Sequence, residues 1–377
     1  MRICIVVDYY PPHIGGGELF ASKIAEGLAQ HGDECTVITL RTDASPPVDD
    51  RGNLRIIRIG NPTSPSRLKF GLLAIPAIIS SARECDIIHG ASYGGAFPAF
   101  VAAKILRKKS IFMVYEFMGG LWRHLEPNRF KAFFYSTAEK MIARMPFDRF
   151  VAISKYTRNC LRLFGIPDSK LERVYGGENL KIIQPAQART VVRSVLGLTS
   201  DDFVYVAYGR AGITKGIEVF VEAIPLILKK VPSAKFVLII TKDDIRIWKR
   251  IEGGLKRIPP EAYRLMPGMT DNELANHLSA SDCVVVPSLS EGFGFAVLEA
   301  CALGKKVVAS DAGSIPEVVF GEYVLVKPGS ADELAEGCQR AFMGDMDYGR
   351  PKNFRWEITV KDFRRIYKEV LSQHPHE

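Results

Sequence analysis

Glu291 and Glu299 stand in the run Pro287-Ser288-Leu289-Ser290-Glu291-Gly292-Phe293-Gly294-Phe295-Ala296-Val297-Leu298-Glu299-Ala300. A β-branched stretch ends at Pro287, a Gly-x-Gly turn follows, and an apolar helical stretch comes next. One acid therefore falls in a loop and the other about one turn into a helix. Ionised carboxylates accept hydrogen bonds from hydroxyls, and the free amides of a helix N-terminus attract phosphate. The spacing suits a nucleotide sugar, with Glu291 on sugar hydroxyls and Glu299 on a ribose diol. Either acid alone could serve only the helix dipole, but that does not account for Gly292 and Gly294 between them. Phe293, Phe295 and Leu298 complete the candidate binding segment.

A second cluster is Tyr208-Gly209-Arg210-Ala211-Gly212-Ile213-Thr214-Lys215-Gly216, which follows an apolar strand-like run. Two cations in a glycine-bearing loop at the carboxyl end of a strand are placed to clamp a diphosphate. In a transfer reaction the same cations stabilise the charge that develops on the leaving group. A third is Pro11-Pro12-His13-Ile14-Gly15-Gly16-Gly17-Glu18, between the first strand and the first helix. Glycines there let a ligand approach the backbone, so Gly15, Gly16 and Gly17 mark a phosphate or sugar site by position. They lack the Gly-x-Gly-x-x-Gly spacing, and the Pro-Pro insertion spoils the tight turn, which argues against a nicotinamide-dependent oxidoreductase.

The elements that must hold these clusters are short β-branched runs alternating with longer amphipathic stretches, the mark of a doubly wound α/β chain with parallel sheets. Strands are expected at 3–7, 35–40, 54–59, 87–88, 110–114 and 150–153, and a second series at 203–208, 235–240, 263–265, 283–287, 306–309 and 323–326. A helix from Glu18 to Gln30 is closed by His31-Gly32. The restart predicts domains of 1–183 and 184–355, with a final helix in 356–377. A chain of 377 residues with 47% apolar and 24% charged residues is ordinary for a globular protein and long enough for two cores.

The longest apolar stretch, 70–80, is too short to span a bilayer and contains Pro76, and the first residues read as a buried strand and not a leader, so a cytoplasmic protein is expected. Seven scattered cysteines without a Cys-x-x-Cys pair read as reduced core residues, and nothing has metal-ligand spacing. Residues 1–185 carry 25 Lys+Arg against 17 Asp+Glu, whereas the remainder is balanced, 25 against 25. Much of the excess lies in 104–149, where Lys and Arg alternate with Phe112, Tyr115, Phe117, Trp122, Phe130, Phe133 and Phe134. That stretch suits an anionic membrane surface or a lipid diphosphate, and equally a solvated helix face. No nucleic-acid-binding signature accompanies it.

Taken together, Tyr10 to Glu18, the Arg210/Lys215 loop, Glu291 to Glu299 and Ser310-Asp311-Ala312-Gly313-Ser314-Ile315-Pro316-Glu317 resemble the retaining nucleotide-sugar glycosyltransferases of family 4. Val151-Ala152-Ile153-Ser154-Lys155 and the terminal Trp356 helix also fit. The resemblance implies a GT-B fold: two Rossmann-like domains facing across a cleft, the acceptor in the first, the donor mainly in the second, and the last helix crossing back to the first. It implies transfer from a UDP- or GDP-sugar to a glycan or lipid-linked acceptor, with a donor phosphate oxygen helping to deprotonate the acceptor. It further implies that no metal or other cofactor is used, so Asp345-Met346-Asp347 is not read as a cation site. Peripheral attachment at the inner face of the membrane follows from the basic segment.

Two places depart from the family pattern. Many relatives carry a histidine after the fifth strand, where this chain reads Val114-Tyr115-Glu116-Phe117. Tyr115 can hydrogen-bond but is a poor base near neutral pH, which leaves Glu116 and His89 as candidates for part of that role. Tyr175-Gly176-Gly177-Glu178-Asn179 replaces the commoner Pro-Asn-Gly-Val. An active transferase and a transferase-like subunit that holds nucleotide sugar without turnover therefore both stay open. A phosphorylase on the same fold has no lysine-cofactor motif to support it.

Overall fold

The computed structural model describes residues 1–63, 66–178 and 185–373, apart from the side chain of Leu68. Strands β1 (Arg2–Val6), β2 (Glu34–Leu40), β3 (Val48–Arg51), β4 (Leu54–Ile59), β5 (Ile87–Ala91), β6 (Lys109–Val114), β7 (Arg149–Ala152) and β8 (Leu171–Arg173) form one sheet in the order β3-β4-β2-β1-β5-β6-β7-β8. A second sheet takes β9 (Phe203–Arg210), β10 (Ala234–Thr241), β11 (Tyr263–Met266), β12 (Cys283–Val286), β13 (Lys306–Ser310), β14 (Gly321–Val326) and β15 (Asp347–Gly349) in the order β11-β10-β9-β12-β13-β14-β15. Every pairing is parallel except β3 with β4 and β14 with β15. Ile3, Cys4, Ile5 and Val6 are all buried, as an unbroken apolar run must be when helices cover both faces of a parallel sheet.

The helices around the first sheet are α1 (Gly16–Gln30), α2 (Arg67–Ala82), α3 (Ser92–Leu106), α4 (Trp122–Leu125), α5 (Arg129–Ala143) and α6 (Lys155–Leu163). Around the second are α7 (Arg189–Val195), α8 (Ile217–Lys230), α9 (Ile245–Leu255), α10 (Asp271–Ala280), α11 (Phe295–Ala302), α12 (Ile315–Val318) and α13 (Ala331–Met343), and α14 (Trp356–Ser372) is last. Helix α1 stops at His31, and Gly32 supplies the left-handed residue (φ 81°) beyond it. All twelve strands expected from the sequence form. The three not expected are β3, β8 and β15, each only three or four residues long. The first and last of these are polar edge strands paired antiparallel, so they lack the buried alternation that marks a strand in sequence.

The chain divides into one unit of Met1–Gly177 with Phe354–Glu377 and another of Glu178–Asn353. The 183/184 division expected from the sequence, like Asn179, lies outside the described residues. Helix α14 belongs to the first unit because its apolar face finds aromatic partners there: Phe363 stacks on His89 at 5.2 Å and meets Phe20 edge-on at 6.0 Å. Thr359 also donates to the Tyr175 carbonyl at 2.8 Å. All seven cysteines are free, and six are buried.

In each sheet the strand order reverses beside one central strand. Strand β1 pairs β2 on one side and β5 on the other, and β9 pairs β10 and β12. Loops leaving such neighbours diverge to opposite faces and open a crevice at the carboxyl ends, which is where α/β sheets bind ligands.

Candidate active site

In the second unit that crevice brings together the segments after β9 and β12. Leu289 N donates to the Thr214 carbonyl at 2.7 Å, which ties the two loops together. Gly216 lies at φ 60°, and a Cβ there would collide with the Pro287 carbonyl oxygen, so the chain can turn into α8 only through glycine. On the other side of the Glu291 loop, Gly313 (φ 58°) would likewise strike the Glu291 backbone if it carried a side chain. Ser314 donates to the Glu291 carbonyl from its amide (3.0 Å) and its hydroxyl (3.1 Å).

This scaffold places the Lys215 ammonium 2.6 Å from Glu291 Oε1, and the Ser288 hydroxyl donates to the same oxygen at 2.8 Å. Glu291 is 8% exposed, so the charge is paired where pairing matters most. Arg210 reaches Asp243 at 3.7 Å, and both side chains are more than 40% exposed. Such a pair holds its members only weakly, and the guanidinium stays free to turn toward an anion. Glu299, 5% exposed, accepts the Tyr208 hydroxyl at 2.6 Å. Burial pushes its carboxyl up to about 7, against the hydrogen bond from Tyr208 and the more distant Lys215, which lower it. Between the two acids, α11 starts after Gly294 (φ 90°) with no side chain capping it. Phe293 and Phe295 meet edge-on at 5.0 Å, and Leu298 is buried in α11.

The first unit's crevice is acidic as well as basic. Helix α1 begins at Gly16, with Gly15 at the N-cap. A Cβ on Gly15 would run into the Glu18 carboxylate, and one on Gly17 would lie 3.2 Å from the Tyr115 ring. Glu18 meets His13 Nδ1 at 2.9 Å, His13 stacks on Tyr9 at 4.3 Å, Arg67 covers Tyr9 at 4.5 Å, and Arg67 pairs with Asp8 at 3.1 Å. Ser92, the first residue after β5, donates to Asp8. A carboxylate of the chain itself thus stands at the α1 N-terminus, which suits sugar hydroxyls better than phosphate.

Burial, followed by the nearby Glu18 and Asp8 carboxylates, holds the Tyr115 phenol well above its usual range. It therefore stays protonated and can donate but not act as a base. Glu116 opens the next loop, its carbonyl accepting the Tyr93 hydroxyl at 3.0 Å. His89, a candidate cleft residue by sequence, is instead a core residue. It is 3% exposed, lies beneath α14, and has Nδ1 2.7 Å from the Tyr367 hydroxyl. Desolvation lowers its pKa to about 3, so it is neutral.

Asp345 and Asp347 both face Arg340, at 3.0 and 3.9 Å. Among the described residues no three His, Cys, Asp or Glu side chains converge as a metal site would require. Several contributors escaped the sequence reading. Asp8, Arg67 and Asp243 have no motif of their own, and Ser288 and Tyr208 stand in the glycine-bearing runs without an expected role. Only Tyr208 carried a signal, because it shares a strand face with Arg210 two residues on. Glu139 is another: fully buried on α5, it accepts the Tyr93 hydroxyl (2.7 Å), the amides of Met118 (2.9 Å) and Gly119 (2.7 Å), and the Trp122 indole N–H (2.9 Å). One carboxylate thereby fixes the whole loop after β6.

Residues 14–181 match the family model described as Glycosyltransferase Family 4, and residues 202–343 match the model described as Glycosyl transferases group 1. An uncharacterized glycosyltransferase of Methanocaldococcus jannaschii is 25% identical, over 98% of this chain and 99% of its own. The sucrose-phosphate synthase of Thermosynechococcus elongatus superposes with a TM-score of 0.77 at 21% identity, covering 98% of this chain and 99% of its own. The Anabaena protein HepE, solved in complex with UDP-glucose, gives a TM-score of 0.73 at 17% identity, covering 98% of this chain and all of its own.

Proposed function

Since the chain is a glycosyltransferase of the family 4 type with the GT-B fold, we propose that it transfers a hexose or related sugar from a UDP- or GDP-linked donor to a glycan or lipid-linked acceptor. The anomeric configuration is retained, no metal ion takes part, and the product belongs to a cell-surface polysaccharide or glycolipid. The observation that carries this reading is the Lys215–Glu291 contact at the crevice of the second sheet, with Arg210 on the adjoining strand end. As the donor's bond from C1 to the phosphate oxygen breaks, negative charge gathers on the leaving diphosphate, where Lys215 and Arg210 stabilise it. The acceptor oxygen bonds to C1 on the same face, and its proton passes to the departing phosphate oxygen. That route needs no base from the protein, in keeping with a Tyr115 that stays protonated. Glu291 positions sugar hydroxyls and Glu299 the ribose diol. The solved complex of HepE with UDP-glucose supports a nucleotide-sugar donor.

The chain works at an anionic membrane surface. In α5, Phe130, Phe133 and Phe134 are 88, 71 and 64% exposed, and Arg129 and Lys131 are exposed among them. Exposed aromatics beside cations are what an interfacial helix uses. No helix among the described residues is long and apolar enough to cross a membrane.

The test is a mass-spectrometric screen of nucleotide sugars against the purified protein with a membrane extract, with and without EDTA, followed by the anomeric assignment of any product. A glycosylated lipid or glycan formed with retention, undiminished by EDTA, is expected. Binding of no nucleotide sugar, or an inverted or EDTA-sensitive product, would overturn the corresponding part.

A further inference from the structure

A cavity of about 970 Å³ lies within the first unit, walled by the loop after β6, by α5 and by α6. That volume is at the top of the ~300–1,000 Å³ range of small-molecule sites. Its walls divide by chemistry. Phe117, Leu163 and Phe164 supply apolar surface, whereas Arg123, Lys140 and Arg144 supply charge. No acidic side chain lines it, and none of the three cations is in an ion pair among the described residues. Unpaired cations facing one concavity repel one another and are stabilised by a shared anion.

The cavity is also held ready. Its loop wall, Phe117 to Leu121, is fastened by Glu139 through the amides of Met118 and Gly119 and through the indole of the adjoining Trp122. On α5, Lys140 and Arg144 follow Phe133 by seven and eleven residues, so they share a helix face with that exposed ring. The chain leaving Tyr115, beside the glycine loop, runs directly into this wall through Glu116 and Phe117.

We propose that this cavity is the subsite for the acceptor's anionic anchor: a single lipid carrying a phosphate or diphosphate ester, with the ester among Arg123, Lys140 and Arg144 and the start of its hydrocarbon chain against Phe117, Leu163 and Phe164. It deepens, and rests on, the reading of the protein as a transferase acting on lipid-linked acceptors. A bilayer surface would need only the exposed cations. A walled space with an apolar side is made for one molecule drawn partly out of the bilayer.

Cys160 provides a direct readout, because it lines the cavity and is the one cysteine that is not buried. The rate of its alkylation by N-ethylmaleimide would be followed by mass spectrometry with geranylgeranyl diphosphate below its micellar concentration. Inorganic pyrophosphate, geranylgeraniol and vesicles rich in phosphatidylglycerol serve as head-only, tail-only and surface-only probes. At least a tenfold slowing by the diphosphate lipid is expected, with far weaker protection by the other three, and its loss in a Lys140→Glu, Arg144→Glu double variant. Unchanged alkylation with the diphosphate lipid, equal protection by geranylgeraniol or by vesicles, or full protection surviving in the double variant would overturn it. Binding of UDP-glucose and GDP-mannose is measured on the same preparations. If it is intact while Cys160 is unprotected, the subsite alone falls; if neither nucleotide sugar binds, the transferase reading falls with it.

Discussion

The Lys215 ammonium and the Glu291 carboxylate meet at 2.6 Å across two loops that leave different strands of one sheet. If Lys215 acts on charge that appears only as the donor bond breaks, Lys215→Met should lower kcat by about 10²–10³ with a much smaller change in KM. Because each partner leaves the other's charge uncompensated, thermal unfolding of Lys215→Met, Glu291→Gln and the double variant should give a coupling of about 1–3 kcal/mol. Additive melts, or a loss confined to KM, would separate the contact from the chemistry.

Nucleotide affinity should depend on the ionisation of Glu299. Its carboxyl is pushed up to about 7 by burial, and a ribose diol donates best to the ionised form, so affinity should rise as pH increases through about 7. The Tyr208 hydrogen bond opposes that shift, hence Tyr208→Phe should carry the rise to higher pH. Isothermal titration of UDP and GDP between pH 5.5 and 8.5, on the order of three buffers per unit, checks both statements. A flat profile would mean that Glu299 does not face the ligand.

Acid stability should report on His89. Its folded pKa is lowered from 6.5 to about 3, so between those values the unfolded chain takes up a proton that the folded chain refuses. Stability is therefore present above pH 6.5 and is lost as pH falls, by on the order of 5 kcal/mol across the window. His89→Gln, which cannot titrate, should flatten that part of the stability profile measured by urea unfolding. The same slope in the variant would place the acid sensitivity elsewhere.

Three glycines with similar backbone angles separate strain from collision. Gly304 (φ 65°) has nothing near its missing Cβ, whereas Gly216 (φ 60°) and Gly313 (φ 58°) are backed by the carbonyls of Pro287 and Glu291. Alanine should cost about 1–2 kcal/mol at Gly304 and at least about 3 kcal/mol at the other two. Equal losses at all three sites would show that the loops give way easily.

Glu139→Ala should loosen the loop after β6 by leaving the Met118 and Gly119 amides and the Trp122 indole N–H without an acceptor, at about 3–5 kcal/mol. Hydrogen exchange at Met118 and Gly119 should accelerate in that variant, and protected amides there would contradict the role assigned to the carboxylate.

The sequence by itself determined most of the strands, because a parallel sheet covered on both faces writes itself as apolar runs such as Ile3 to Val6, and it determined the loops with chemistry, because a Cβ on Gly216 or Gly313 would strike backbone and Gly294 turns at a φ of 90° that side chains rarely adopt. It also carried enough of Glu291, Glu299, Arg210 and Lys215 to indicate a nucleotide sugar. What tertiary structure decided was which groups face each other. His89 inside β5 and Tyr115 just past the end of the neighbouring β6 stand in similar apolar contexts, yet α14 closes over the first, while the second remains against the glycine loop. Glu139 looks in sequence like one more charge on a basic helix, but it is a buried acid bonded by four donors, which come from residues 17 to 46 positions away. Burial and partnership are properties of contacts between distant residues, and periodicity along the chain encodes only which side of an element is covered, not what covers it.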